Sequence, residues 1–300
     1  MGRHVVAALR RSGAEVHAVT SRPPGTAEPT ARVAGVHWHR CDLLDAPATG
    51  ALIADLAPER LVHLAWYVEH GRFWTAPENA TWARASMHLL RAFAAAGGRR
   101  AVFTGTCAEY DWSASRPLHE QDTPLVPATP YGQAKEALRH AATTFAVERG
   151  VDLAWARLFF LYGPDEPPAR LVPSVIHALL AGEPAATTEG LQVRDFMHAE
   201  DAGAALAAVL HSSETGPINV ASGVGVTLRR VIELIGEATG RSDLLRPGAR
   251  PTAENDPARL VADTARLNQI VGFQPRIALR EGIESTVAWW RDFAAGQSAP

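Results

Sequence analysis

Cysteine is scarce in this sequence. The 300 residues include two, Cys41 and Cys107, far apart and without partners at metal-ligand spacing. A disulfide framework is therefore excluded, and no metal site is expected. Long apolar runs are also missing: nothing approaches the ~20 residues of a membrane-spanning helix. The opening Met1-Gly-Arg-His-Val-Val6 lacks the apolar core of a signal peptide, and Val6 stands where an N-myristoyl signal needs Ser or Thr. The expected compartment is the cytoplasm, with no membrane partner. Net charge is small, 29 basic against 32 acidic residues giving −3, with the two signs interspersed. That lacks the basic footprint of a nucleic-acid binder. With 47% hydrophobic and 20% charged residues, a disordered chain is excluded too.

The most informative shortage is lysine. Of the 29 basic residues 28 are arginine and one, Lys135, is lysine. It stands four positions after Tyr131, one of only four tyrosines.

The first half alternates strand and helix patterns at short spacing, the mark of βαβ units and a parallel sheet. Residues 3–12 read as a helix ended by Gly13. Strands are expected at Glu15–Thr20, Val33–His39, Arg60–Trp66, Arg100–Thr106 and Asp152–Phe159, whose continuous apolar runs suit burial on both faces. The clearest helix runs from Thr129 to Gly150, with Thr129 as cap, Pro130 in the first turn and Gly150 as stop. Its apolar stripe leaves Tyr131 and Lys135 on one face. After Gly163-Pro164 the helices shorten and prolines multiply, as in a smaller lobe built on the end of the sheet. A final helix over Leu279–Ala294 is expected to pack through Trp289, Trp290 and Phe293.

Tyr131-Gly-Gln-Ala-Lys135 has a physical logic. A phenol ionises near pH 10, too high for acid–base work at neutrality, and an ammonium one helical turn away favours the phenolate. Upstream, the strand ending at Thr106 places hydroxyls at the carboxyl rim of the sheet, where open α/β folds bind ligands. Thr106 is the residue chosen to hydrogen-bond a substrate carbonyl together with the phenol.

With these residues in order, the chain resembles the extended short-chain dehydrogenase/reductase proteins that act on nucleotide sugars: epimerases, dehydratases and ketoreductases. The likeness runs through Cys41-Asp-Leu-Leu-Asp45, His63-Leu-Ala65, Phe103-Thr-Gly-Thr-Cys-Ala-Glu-Tyr110, Tyr131 to Lys135, Arg157-Leu-Phe-Phe-Leu-Tyr-Gly-Pro164, Arg194-Asp-Phe-Met-His198 and Ile218-Asn-Val-Ala-Ser-Gly223. It implies a Rossmann-like, doubly wound parallel sheet in an α/β fold, with 1–163 as the dinucleotide-binding domain. Residues 164–300 would form mainly a C-terminal substrate-binding lobe, with segments returning to the core. By resemblance Tyr131 is the acid/base, Lys135 holds the nicotinamide ribose, and Thr106 is the hydroxyl partner. Asp42 and Leu43 flank the adenine, and Leu64 and Ala65 line the cofactor groove. Arg194, with Arg250 as companion, holds the diphosphate of a nucleotide-sugar substrate. Trp66, Tyr67 and Trp74 border the sugar pocket, and Phe160 stands where many members place an asparagine facing the substrate. A homodimer through the fourth and fifth helices is expected on the same ground.

Departures from the family pattern carry expectations of their own. The family's glycine-rich turn is represented only by its last glycine, Gly2; the first strand and two glycines are absent, implying a start assigned too late or a truncated product. At the end of the family's second strand, here Glu15–Thr20, stand Thr20, Ser21 and Arg22 instead of an acidic residue, which favours NADP over NAD. Family dehydratases follow the threonine with Asp-Glu, whereas this chain has Cys107-Ala108, which argues against dehydration. The resulting expectation is an NADPH-dependent reduction of a 4-keto nucleotide-deoxysugar. The alternatives are a nucleotide-sugar C4 epimerase with retained NAD and a non-catalytic dinucleotide-binding regulator.

Overall fold

The computed structural model describes residues 1–21, 34–114 and 116–297. In chain order the elements are α1 (Gly2–Arg11), β1 (Val16–Thr20), β2 (Val36–Arg40), α2 (Ala46–Leu56), β3 (Arg60–His63), α3 (Glu78–Ala95), β4 (Arg100–Thr106), α4 (Pro130–Arg149), β5 (Asp152–Leu158) and β6 (Phe160–Tyr162). There follow α5 (Leu171–Leu180), β7 (Ala185–Ala186), β8 (Val193–His198), α6 (Ala199–His211), β9 (Gly216–Val220), β10 (Gly225–Thr227), α7 (Leu228–Thr239), β11 (Leu245–Arg246), β12 (Arg259–Leu260) and α8 (Leu279–Gln297). The second expected strand begins at Val36; Val33 lies outside the described residues. No helix among the described residues is long and apolar enough to cross a membrane.

The central sheet is parallel, in the order β3-β4-β5-β9. Its two middle strands show why they read as unbroken apolar runs. In β4, Ala101 and Phe103 pack against Leu89, Phe93 and Leu138 of α3 and α4, while Val102 points to the opposite face with Leu206 and Val209 of α6. In β5, Leu153 and Trp155 join the first face and Ala154 and Ala156 the second. Two-residue alternation with both faces covered demands apolar side chains at every step. α1 lies beside α6 on that second face through Val5. Thus β9 and α6, from the C-terminal part of the chain, complete the core of the N-terminal part.

A second parallel pair, β1-β2, is separate from this sheet. Among the described residues β1 pairs only with β2, and β3 only with β4. A smaller mixed sheet has β8 at its centre, with β10, β12 and β6 as partners. Beside it α5, α7 and α8 form their own core around Ile176, Ile235, Ile283 and Val287, with Trp289, Trp290 and Phe293 packed in as expected.

Candidate active site

The first turn of α4 follows from local chemistry. Thr129 Oγ1 accepts from the Gly132 amide at 3.1 Å, Pro130 needs no amide partner there, and Gly150 closes the helix in the left-handed region at φ 66°. Tyr131 therefore sits in the opening turn, with Lys135 one turn later on the same face. A Cβ at position 132 would stand 2.2 Å from the Ala108 carbonyl oxygen. Glycine is what lets α4 seat directly on the turn that follows β4.

That turn holds Thr106. Its hydroxyl accepts from the Ala108 amide at 3.2 Å, while Glu109 Oε1 accepts from the Thr106 amide at 2.9 Å. This is a capping box, and Thr106-Cys-Ala-Glu109 is its sequence signature, a signal the sequence reading passed over. Glu109 is fully buried and also accepts from Arg157 Nε at 2.7 Å and Trp155 Nε1 at 3.0 Å. Arg157, likewise buried, donates onward to the Tyr110 hydroxyl at 3.1 Å, which donates to Asn219 Oδ1 at 2.7 Å. Burial opposes the Arg157 charge, but Glu109 and Tyr110 outweigh it and hold the guanidinium protonated. A Cβ at Gly105 would fall 2.2 Å from Trp155 Nε1, so this network needs a bare backbone above it.

Lys135 is 3% exposed. Its Nζ donates to the Thr104 carbonyl at 2.9 Å and lies 3.7 Å from the centroid of the Trp66 ring. Burial pulls its pKa down to about 7, with Glu109 acting the other way. The Tyr131 phenol is pushed above its ordinary range by burial, with the Thr106 hydroxyl drawing it back. Desolvation thus dominates both members of the pair, where the sequence alone suggested that the ammonium would govern the phenol. His63 behind them, bonded to Ser86 Oγ at 2.8 Å, is held at about 3 by burial and then by the Lys135 charge. Burial pushes the Cys107 thiol up to about 12, so it offers no thiolate near neutrality.

One large cavity, about 2960 Å³, is walled by Thr106, Tyr131 and Lys135 and extends past the edges of β1 and β3 to Gly2 and α1. Single small-ligand pockets are commonly about 300–1,000 Å³; this one has room for two extended ligands. Of the other expected residues, Gly2, Thr20, Leu43, Leu64, Ala65, Trp66, Trp74, Phe160 and Arg194 also line it.

Several expected positions are arranged differently. Asp42 is exposed, accepts from the Leu44 amide at 3.0 Å and is not among the lining residues. Ser21 is exposed and outside the lining, and Arg22 lies outside the described residues. Tyr67 donates to Glu69 at 2.6 Å and stands outside the lining. Trp66 supports the Tyr131–Lys135 pair: its Nε1 donates to Asn79 at 2.8 Å and its ring meets Tyr131 edge-on at 6.4 Å. Arg250 is not brought to Arg194: it is exposed, its amide donates to the Thr187 carbonyl at 3.0 Å, and it is absent from the lining. Arg194 is buried, ion-paired with Asp256 and packed over Phe160 at 5.4 Å. Asp256 is the ion-pair partner of Arg194, a contact between distant residues that the sequence does not reveal.

The cavity suits a dinucleotide chemically. α1 opens toward it without a side-chain cap and without an acidic residue in its first turn. A Cβ at Gly2 would meet nothing within 4 Å. Uncapped amides at the positive end of a helix dipole suit a pyrophosphate, and the donor set at the other end, phenol, ammonium and hydroxyl, suits a ribose and a reacting carbinol.

Residues 1–221 match the model of the NAD dependent epimerase/dehydratase family. A UDP-glucose 4-epimerase of Mycolicibacterium smegmatis is 30% identical over 264 residues, covering 84% of this chain and 82% of the relative. A dTDP-glucose 4,6-dehydratase of Streptomyces griseus is 26% identical over 258 residues, covering 84% and 77%. The crystal structure of Thermus thermophilus UDP-glucose 4-epimerase in complex with NAD superposes with a TM-score of 0.84 at 25% identity, covering 97% of this chain and 95% of that one.

Proposed function

Because the chain belongs to the NAD-dependent epimerase/dehydratase family, we propose that it interconverts the C4 epimers of a nucleotide-activated hexose, with NAD retained through the cycle. The observation that carries this reading is the convergence of Tyr131, Thr106 and Lys135 on the wall of one cavity large enough for dinucleotide and sugar nucleotide together. The relatives favour NAD over the NADP suggested by Thr20, Ser21 and Arg22, and epimerisation over the reduction expected from sequence.

When bound, NAD takes up and returns the hydride at the sugar carbon. As the phenolate, Tyr131 would take the proton from the 4-hydroxyl and later return it to the same oxygen, inversion arising because the hydride comes back to the opposite face of the carbon. Thr106, with its lone pair used by the Ala108 amide, keeps its own proton for the same oxygen. Lys135 reaches the cofactor ribose and supplies positive charge when the phenolate forms. Leu64 and Ala65 line the groove, the α1 amides hold the pyrophosphate, and Arg194 holds the sugar nucleotide's diphosphate through paired donors in one plane. Cys107 and Ala108 offer no acid–base pair for loss of water, which supports epimerisation over dehydration.

The deciding experiment uses the purified full chain without added nicotinamide. Acid release should yield NAD, and UDP-glucose should be converted to UDP-galactose with no external reductant. Turnover of a 4-keto sugar that depends on added NADPH, with no epimerisation, would overturn the proposal in favour of a ketoreductase. Bound NAD without turnover of UDP- or dTDP-hexoses would leave a binding protein.

A further inference from the structure

The parallel pair β1-β2 carries a cluster that the proposed reaction does not use. Residues alternate across a strand, so Glu15 and His17 share a face on one side, as do His37 and His39 on the other. The observed register sets His17 directly beside His37 and Val19 beside His39. The imidazoles stack, His17 on His37 at 4.8 Å and 20° and His17 on His39 at 5.2 Å and 19°. Glu15 Oε1 lies 3.3 Å from His17 Nε2 and 3.7 Å from His37 Nε2. The three ligand atoms are all within 4.8 Å of one another, and no other group of three or more His, Cys, Asp or Glu gathers in this way among the described residues.

Zinc bonds of about 2.0–2.1 Å in a tetrahedron set neighbouring ligand atoms about 3.3–3.4 Å apart; the two Glu15 contacts are close to that spacing, and rotation of the stacked imidazoles would turn their Nε2 atoms toward a shared ion. His39 Nε2 stands 2.9 Å from His17 Nδ1. In this arrangement His17 Nε2 donates to Glu15 Oε1 at 3.3 Å; an ion taking the place of that proton would leave the remaining one on Nδ1, donating to His39 Nε2. That is the outer partner a metal-binding imidazole ordinarily has. Two imidazoles and one carboxylate suit a divalent d-block cation and leave a position for water.

We propose that Glu15, His17 and His37 bind a divalent d-block cation, represented by Zn²⁺, with His39 positioning His17. The ion clips β1 to β2. Two parallel strands with no third partner among the described residues form a weak unit, and ligands contributed from both strands would tie it. Glu15, His17 and His39 also line the large cavity, but none of them is assigned a role in the reaction, and metal binding is tested separately from it.

The test is calorimetric titration of the chelator-treated full chain with Zn²⁺, followed by thermal melting. One Zn²⁺ per chain and a raised melting temperature are expected. In His17→Asn/His37→Asn both should be lost, while His39→Leu should weaken binding 10–100-fold, as outer-partner changes do. Glu15→Gln, a change at an exposed side chain, should weaken binding while leaving the metal-free melting temperature in place. As a remote control His211→Asn should bind as the parent does. Absence of saturable 1:1 binding, or equal affinity in the parent and the double variant, would overturn the proposal.

Discussion

Lys135 Nζ rests 3.7 Å from the centroid of the Trp66 indole, on the side chain's way to the Thr104 carbonyl. The single lysine of the chain is thus held over an aromatic face three residues beyond the end of β3, and the cation–π contact offsets part of the cost of burying its charge. The pair links α4 to the loop after β3 beside Tyr131, and the chemistry of the site depends on how that lysine titrates.

A pH dependence follows. Burial pulls the folded Lys135 down to about 7 from its ordinary 10.5. Between those values the unfolded chain holds a proton that the folded chain has released, so stability rises with pH across this window. The contribution is complete above the unfolded value and is lost as pH falls toward 7. Chemical denaturation of the parent and of Lys135→Met from pH 7 to pH 10 should show a steeper rise for the parent. Parallel curves would refute the assignment.

Tyr131→Phe should lower turnover by roughly 10²–10⁴-fold, the usual worth of a positioned acid–base group. Retained NAD and the melting temperature should stay close to those of the parent, because the ring contacts with Phe73 and Trp74 remain. Steady-state kinetics with cofactor quantification decides this; a collapse of folding would instead make the phenol structural.

Glu109→Gln removes the charge opposite a fully buried Arg157. Breaking a buried pair from one side costs about 3–5 kcal/mol, to be read from denaturant midpoints. Glu109→Leu/Arg157→Leu should be less destabilised than either single change, since no orphaned charge remains. A double variant worse than both would show that the hydrogen bonds to Thr106 and Trp155 matter more than the pairing of charges.

Gly132→Ala places a methyl group against the Ala108 carbonyl. Overpacking of this kind costs about 1–3 kcal/mol, and it should also shift Tyr131 relative to Thr106. The expected signature is a fall in kcat larger than the rise in KM, measured beside the melting temperature.

Much of the framework was legible along the chain. The capping Thr129, Pro130 and Gly150 bound α4 within a residue of where it runs, and the apolar stretches ending at Thr106 and Phe159 marked β4 and β5. The separation of four residues between Tyr131 and Lys135 was enough to place them on one face. The tryptophans of α8 read as packing, and they pack. Less legible were the partners. Arg250 is exposed and outside the cavity lining, and the ion-pair partner of Arg194 is Asp256. Trp66, which lines the cavity, is also the seat of Lys135, a role the sequence does not reveal.

Local signals decided where helices and strands begin and end, because caps, turns and side-chain periodicity act over one or two turns of backbone. They also placed the tyrosine and lysine, which belong to a single helix. Tertiary structure alone decided which distant segments meet: Glu109 of the turn after β4 with Arg157 of β5, and Glu15 and His17 with His37 across the β1-β2 register. It decided the charge states as well, since desolvation depends on everything packed around a group and not on its neighbours in sequence.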